Sequence, residues 1–166
     1  MDRVIPVLLL IALFLGVLAL MWLGWRRRAA AQSHLPAPAP DEDLTALDGG
    51  IDVGPFDAVY VSTVLADQPL ERVVAHGLGA RARARLSRGT HGSWRIQRDG
   101  AASFTIHGDQ VLDLASASGM AGKAVGGAGL FVIRWQHGPD ATRLDTGFRM
   151  ARRADHDLLL TRKDPA

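Results

Sequence analysis

Three groups of residues carry charge at a spacing that invites a chemical reading. In ARARARLSRG, Arg81, Arg83 and Arg85 alternate with Ala82, Ala84 and Leu86. Period-two alternation puts the guanidinium groups on one face of a strand and the apolar side chains on the other. With Arg88, and with Arg95 on a neighbouring strand, they make a basic stripe. Such a stripe can meet anionic headgroups, at up to about 1 kcal/mol per charge near a membrane surface. It can equally meet an acidic protein, or simply guard a sheet edge against pairing with another chain. The second group is GMAGKAVGGAGL, in which Lys123 stands alone among small residues. A phosphate loop of the G-x-x-x-x-G-K-[ST] kind needs Gly where Ala117 stands, Ser or Thr where Ala124 stands, and a helix afterwards. All three requirements fail, so the glycines are read as permitting a tight, bulged connection between two sheets, with Lys123 kept as a candidate anion contact. The third group is Asp145-Thr146-Gly147-Phe148-Arg149. It reads as an interior turn with Phe148 in the core and Asp145 capping, or as an exposed recognition edge anchored by Arg149.

Other chemistries find little support. His34, His76, His91, His107, His137 and His156 show no H-x-H or H-x3-H spacing, so neither a metal nor a cofactor is expected. His76 and His137 each precede a glycine, where a side chain bonded to nearby backbone is the usual reason. There is no cysteine, which removes disulfides, thiolate catalysis and thiolate metal sites together. Asp113, Asp145 and His156 can be combined with Ser62, Ser87 or Ser118 on paper, but no G-x-S-x-G elbow marks a nucleophile. The expectation is a protein that binds and does not catalyse. A net charge of +2 is too small to argue for nucleic acid.

The elements that must position these residues begin with a greasy one. From Val4 to Trp25 no residue is charged. That length matches the roughly 20 residues needed to cross a hydrocarbon core about 30 Å thick. Trp22 and Trp25 suit the headgroup level, and Arg26, Arg27 and Arg28 follow directly. A cleaved signal peptide is the competing reading, since Ala29-Ala30-Ala31 offers small residues. Signal peptides, however, carry their positive charge before a shorter apolar stretch. The three arginines also set orientation: the N-terminus outside, the C-terminal domain cytoplasmic.

Residues 26–50 read as a basic flank and then a spacer, in which Pro36, Pro38 and Pro40 precede Asp41, Glu42, Asp43 and Asp48. An acidic spacer next to an anionic leaflet would be held away from it; a plain solvated tether is the simpler reading. A domain over 51–162 follows, then a tail over 163–166. PFDAVYVSTV is a strand. DQPLERVVAHG has helix punctuation in Asp67, Pro69 and Gly77 and predicts a short helix, with Val73-Val74 leaving a strand open. ARARARLSRG is a half-buried strand. SWRIQRDGAASFTIHG is a hairpin turning at Asp99-Gly100, with Trp94, Ile96, Phe104 and Ile106 inward. VLDL, GLFVIRWQHG and TRLDTGFRM complete about seven antiparallel strands. MARRADHDLLLTRK places Leu158 and Leu159 at helical spacing on a closing helix that would bury both.

Seven strands and one closing helix is the order of a pleckstrin-homology (PH) fold, as a barrel or sandwich. The segments VYVSTV, RVVAHGLGARARARL, GMAGKAVGGAGLFVIRWQHG and LDTGFRM resemble a family of small actinobacterial single-pass membrane proteins with a bacterial PH-like domain. Members are sometimes labelled transporters, and their genes tend to lie near those for pyrimidine and carbamoyl-phosphate synthesis. One membrane helix without an ionisable residue cannot form a pathway alone. Phosphoinositide-binding PH domains place basic residues around the first strand-to-strand connection. Here that region holds Asp67, Gln68, Pro69, Leu70 and Glu71, which argues against such recognition. The expectation is a membrane-tethered scaffold that recruits a cytoplasmic protein through Arg81, Arg83, Arg85, Lys123 or Arg149. An anionic-lipid or envelope module and an accessory subunit of a transport assembly are the alternatives.

Overall fold

The computed structural model describes residues 4–32, 35–124, 126–127 and 129–161. The side chains of Trp25, Arg26, Arg27, Arg28 and Lys123 lie outside the described residues, as does the tail over 163–166. The chain divides into two compact units, Met1–His34 and Leu35–Ala166.

The first unit is one helix, α1 (Val4–Ala31). Its segment Ile5–Gly24, 20 residues long, has a mean hydropathy of 2.8 and none of it is buried inside the protein. At 1.5 Å per residue it is about 30 Å long. Leu, Ile, Val and Phe face outward on every side of it. It is long and apolar enough to cross a bilayer.

The second unit is built on an antiparallel sheet. Its main strands are β2 (Ile51–Leu65), β4 (Ala82–Gly89), β5 (Trp94–Arg98), β6 (Phe104–Ile106), β7 (Val111–Ala117), β10 (Leu130–His137) and β11 (Thr142–Met150). These are the seven strands that the alternation predicts. Four short pieces add to them: β1 (Ala39–Pro40), β3 (Gln68–Arg72), β8 (Gly119–Met120) and β9 (Lys123–Ala124). The path through the sheet runs β1-β6-β5-β4-β2-β11-β10-β7, so the sheet is open, with β1 and β7 at its ends. The closing helix α3 (Arg153–Thr161) packs on β7, β10 and β11. Leu159 is fully buried there, whereas Leu158, expected inside, is 41% exposed. The helix turns its Leu159–Leu160 side to the core, where Leu160 is partly buried, and leaves Leu158 toward solvent.

Residues 67–77 are not an α-helix: Gln68–Arg72 is strand, and only a single distorted 3-10 turn, Ala75–Gly77, follows. Val64 and Leu65 pair with Arg72 and Gln68, making a hairpin across Ala66-Asp67. Pro69 is acceptable because, among the described residues, β3 has β2 as its only strand partner and so lies at an edge. His76 (φ 52°) and Gly77 (φ 70°) both take left-handed backbone, which no α-helix continues through.

The core is aromatic. Tyr60 meets Phe104 and Phe148 edge to face at 6.2 and 5.6 Å, and Trp94 lies 5.4 Å from Phe131. Trp94 and Trp135 are both core residues. A buried polar chain runs through this apolar mass. Trp135 Nε1 donates to Thr146 Oγ1 (2.9 Å), Thr146 and Thr63 share a hydrogen bond of 2.8 Å, and Thr63 and Tyr60 share one of 2.7 Å. The Tyr60 hydroxyl also donates to the Leu78 carbonyl at 2.6 Å. Each polar side-chain atom of this chain of four residues has a partner, as burial requires.

The stretch from Leu35 to Gly50, read from composition as spacer, is packed onto the domain. Leu35 and Leu44 are 2% and 0% exposed. His76 Nε2 and His137 Nε2 each hydrogen-bond a carbonyl of this strap, Leu35 and Pro36 respectively, at 2.8 Å. β1 pairs with β6. α2 (Leu44–Asp48) is capped by the Asp43 carboxylate, which accepts from Thr45 N. That bond holds the Asp43 pKa below its ordinary value. Asp48 accepts from His91 N (2.8 Å), Ser93 N (3.2 Å) and Ser93 Oγ (2.9 Å). Position 89 must be glycine for this, because a Cβ there would stand 2.1 Å from Asp48 Oδ2.

Two outcomes follow from these contacts. Burial pushes the Tyr60 hydroxyl up to about 12. The unfolded chain therefore loses this proton first, near pH 10, and stability falls as pH rises from about 10 toward 12. Tyr60 is the only tyrosine, so tyrosinate absorbance reads it directly. The expected midpoint is about 12; a midpoint near 10 in the folded protein would contradict the buried network. Asp48→Ala removes the acceptor for three donors of the β4–β5 turn and should cost about 2–3 kcal/mol in thermal or denaturant unfolding.

Candidate functional site

β2 is long enough to belong to both halves of the sheet. Its first part pairs with β4 and its last part with β11, and residues 58–60 pair with both. Val59 stands opposite Arg83 on one side and Arg149 on the other. Asp57 stands opposite Arg85. Ala58, Tyr60, Ala84, Leu86 and Phe148 point into the core, so Arg83, Arg85 and Arg149 must point out, and all three are exposed. The backbone bond from Asp99 N to the Arg83 carbonyl (2.9 Å) brings the β5–β6 turn alongside. The result is a groove of about 680 Å³ lined by Asp57, Val59, Arg83, Arg85, Asp99 and Arg149. Three of the five residues expected to carry an interaction surface thus meet in one depression. Arg81 is exposed but does not line it, and the side chain of Lys123 is outside the described residues.

The electrostatics divide the arginines into two sets. Arg88 pairs with Asp52, Arg95 with Asp41, Arg134 with Asp145, Arg152 with Asp155 and Arg153 with Asp157. The Arg95 and Arg134 pairs are bidentate, and their carboxylates raise the guanidinium pKa values further. Arg98 is buried, donates to the Gly77 and Ala102 carbonyls, and lies 4.7 Å over the Tyr60 ring. Arg81, Arg83, Arg85 and Arg149 have no ion pair or side-chain hydrogen bond among the described residues. The stripe inferred from sequence is accordingly shorter than expected, since Asp52 and Asp41 remove Arg88 and Arg95 from it. The edge-protection reading fails as well, because β4 lies between β2 and β5 and is an interior strand.

The other two segments resolve residue by residue. β8 and β9 form a small hairpin whose turn residues, Ala121 and Gly122, both have positive φ. Met120 from this flap joins Val64, Leu130 and Val132 in a second apolar cluster. It sits so close to β11 that a Cβ on Gly147 would lie 2.7 Å from its sulfur. Strand β10 follows the glycine-rich stretch, as a connection between sheet regions requires and a phosphate loop does not. In Asp145–Arg149, Thr146 and Phe148 face inward, Gly147 accommodates the flap, and Arg149 reaches the groove. Asp145 caps nothing; it is held by Arg134 at 2.8 Å.

Ser116, which sequence reasoning did not single out, lies 3.3 Å from His156 Nε2, with Asp157 3.2 Å from His156 Nδ1. Ser116 sits in regular strand opposite Phe131, without the sharp elbow that lifts a nucleophilic serine out of a sheet. The contact fastens α3 to β7. No group of His, Asp and Glu with metal-binding geometry occurs among the described residues.

An open antiparallel sheet in the order β6-β5-β4-β2-β11-β10-β7, followed by a helix packed on its last strands, defines a PH-like domain. The family described as Bacterial PH domain-like matches residues 35–164, and the chain belongs to it. The match begins where the compact unit begins, at Leu35. No curated protein and no solved structure matches the chain. PH-like domains are in general non-catalytic binding modules.

Loss of a solvated, unpaired charge costs little, whereas a buried guanidinium holds the fold. Arg83→Gln and Arg149→Gln should each change stability by no more than about 0.5 kcal/mol. Arg98→Gln should cost about 1–3 kcal/mol in the same unfolding measurement.

Proposed function

We propose that the protein is a single-pass membrane-tethered PH-like module whose domain faces the cytoplasm and holds a protein partner at the bilayer. The observation that carries this reading is the pairing of two features. One is a 20-residue span of α1, Ile5–Gly24, that is apolar on every side. The other is a domain of a binding family with unpaired cations gathered in one groove. In this reading Ile5–Gly24 confines the domain to the membrane plane, and Trp22 and Trp25 lie at headgroup level. Arg26, Arg27 and Arg28 hold the C-terminal side in the cytoplasm. Confinement raises the effective concentration of the domain for anything else at the membrane, so a weak interface suffices. The partner contributes specificity and the bilayer contributes proximity.

A topology reporter on Ala166 that is active on only one side of the membrane, checked by protease protection, tests the reading. A cytoplasmic C-terminus is the expected result. An external C-terminus would remove cytosolic partners and leave an envelope-facing module, and a soluble, cleaved product would remove the tether itself.

A further inference from the structure

We infer that the groove between β4, β2 and β11 is the docking face for an acidic, extended segment of the partner. This inference rests on the reading of the protein as a membrane-tethered module that recruits a protein.

Arg83 and Arg85 are two residues apart on one strand, so their side chains leave the same face about 6.6–7 Å apart. An extended peptide with an acidic residue at every second position repeats its carboxylates at the same interval. Arg149 lies across Val59 from Arg83, two strand spacings or about 10 Å away, and offers a contact on the opposite wall. The guanidinium fork is suited to carboxylates, which it binds bidentately. The protein itself uses that geometry for Arg95–Asp41 and Arg134–Asp145.

Charge supplies the second step. Among the described residues the domain pairs five of its arginines with carboxylates drawn from the strap, the sheet and α3. The three groove arginines are left without one. They are not edge guards, since β4 and β2 are interior strands. Shape supplies the third step. A flat bilayer cannot enter a depression of about 680 Å³, and a uniformly anionic surface is repelled by Asp57 and Asp99 within it. A chain segment with acidic residues in excess fits both the concavity and the mixed lining.

The test uses the full chain in nanodiscs of phosphatidylcholine and a fluorescein-labelled peptide, Gly-Ser-Glu-Thr-Glu-Val-Glu-Ser-Gly, read by anisotropy. Saturable binding that weakens as salt rises is expected. Arg83→Gln combined with Arg149→Gln should weaken it at least about tenfold, as should replacing the peptide's Glu with Gln. Arg81→Gln and Arg143→Gln, exposed cations that do not line the groove, should stay within about twofold of wild type. Equal losses from Arg81→Gln and Arg83→Gln would mean diffuse attraction and would overturn the assignment. Absence of saturable binding at low salt would do the same. If nanodiscs containing phosphatidylserine abolish peptide binding only while Arg83 and Arg149 are intact, the groove takes headgroups and the peptide is the wrong occupant. Any of these failures beside a cytoplasmic Ala166 reporter would sink the groove assignment and leave the tethered module standing.

Discussion

Three consecutive residues, Ala58, Val59 and Tyr60, are paired on both sides at once, with Ala84, Arg83 and Ala82 on β4 and with Met150, Arg149 and Phe148 on β11. This shared stretch of β2 is the constraint on which the domain depends. It joins the β4–β5–β6 half of the sheet to the β11–β10–β7 half. Strand alternation then does the rest: Tyr60 must point inward to the aromatic core, so Val59 must point outward. A one-residue slip would exchange the two and drive arginines into the core. Core and groove are therefore two faces of a single register.

Electrostatic pairing sharpens the picture that the register draws. The acidic strap is attached to the domain by Asp41–Arg95, by Asp48 on the β4–β5 turn, and by Glu42, which lies 3.5 Å from His107. Asp52 takes Arg88. A sequence that looks like a basic domain beside an acidic spacer is, once folded, partly paired with itself. Three of the cations left without an ion pair among the described residues, Arg83, Arg85 and Arg149, lie on the outer face of the shared strand and its two neighbours. Surface ion pairs of this kind contribute little to stability individually. Their larger effect is to decide which cations are still free to meet something else.

The periodic parts of the fold are legible in the sequence, and the pairings between distant segments are not. The alternation of ARARARLSRG, the Asp99-Gly100 turn and the apolar run of β10 report the local period correctly, because burial on one face imposes it. The segment over 67–77 misleads because Asp67, Pro69 and Gly77 are punctuation for a helix start and for an edge hairpin alike. Only pairing with Val64 and Leu65 decides between them. Arg88 and Arg95 look free because their partners lie 36 and 54 residues away. Whether β4 is an edge depends on β2, with β3 intervening in the chain, and no local signal carries that. The histidine-glycine pairs fall between the two cases. A bond to backbone is expected, and it exists, but the backbone belongs to the strap 41 and 101 residues earlier.

The strap bears on how the domain would carry a mechanical load. A pull applied at the N-terminal end of the domain enters at Leu35 and Pro36. There it is shared at once between two hydrogen bonds, one from His76 in the β3–β4 connection and one from His137 at the end of β10. Beyond them the load meets the edge pairing of β1 with β6, the bidentate Asp41–Arg95 contact and the buried Asp48 anchor in turn. These fastenings are arranged in series along the chain, so they yield one after another. The long central strand, which begins at Ile51, takes tension only after the strap has yielded. The groove sits on that strand, and it keeps its shape while the strap is peeled.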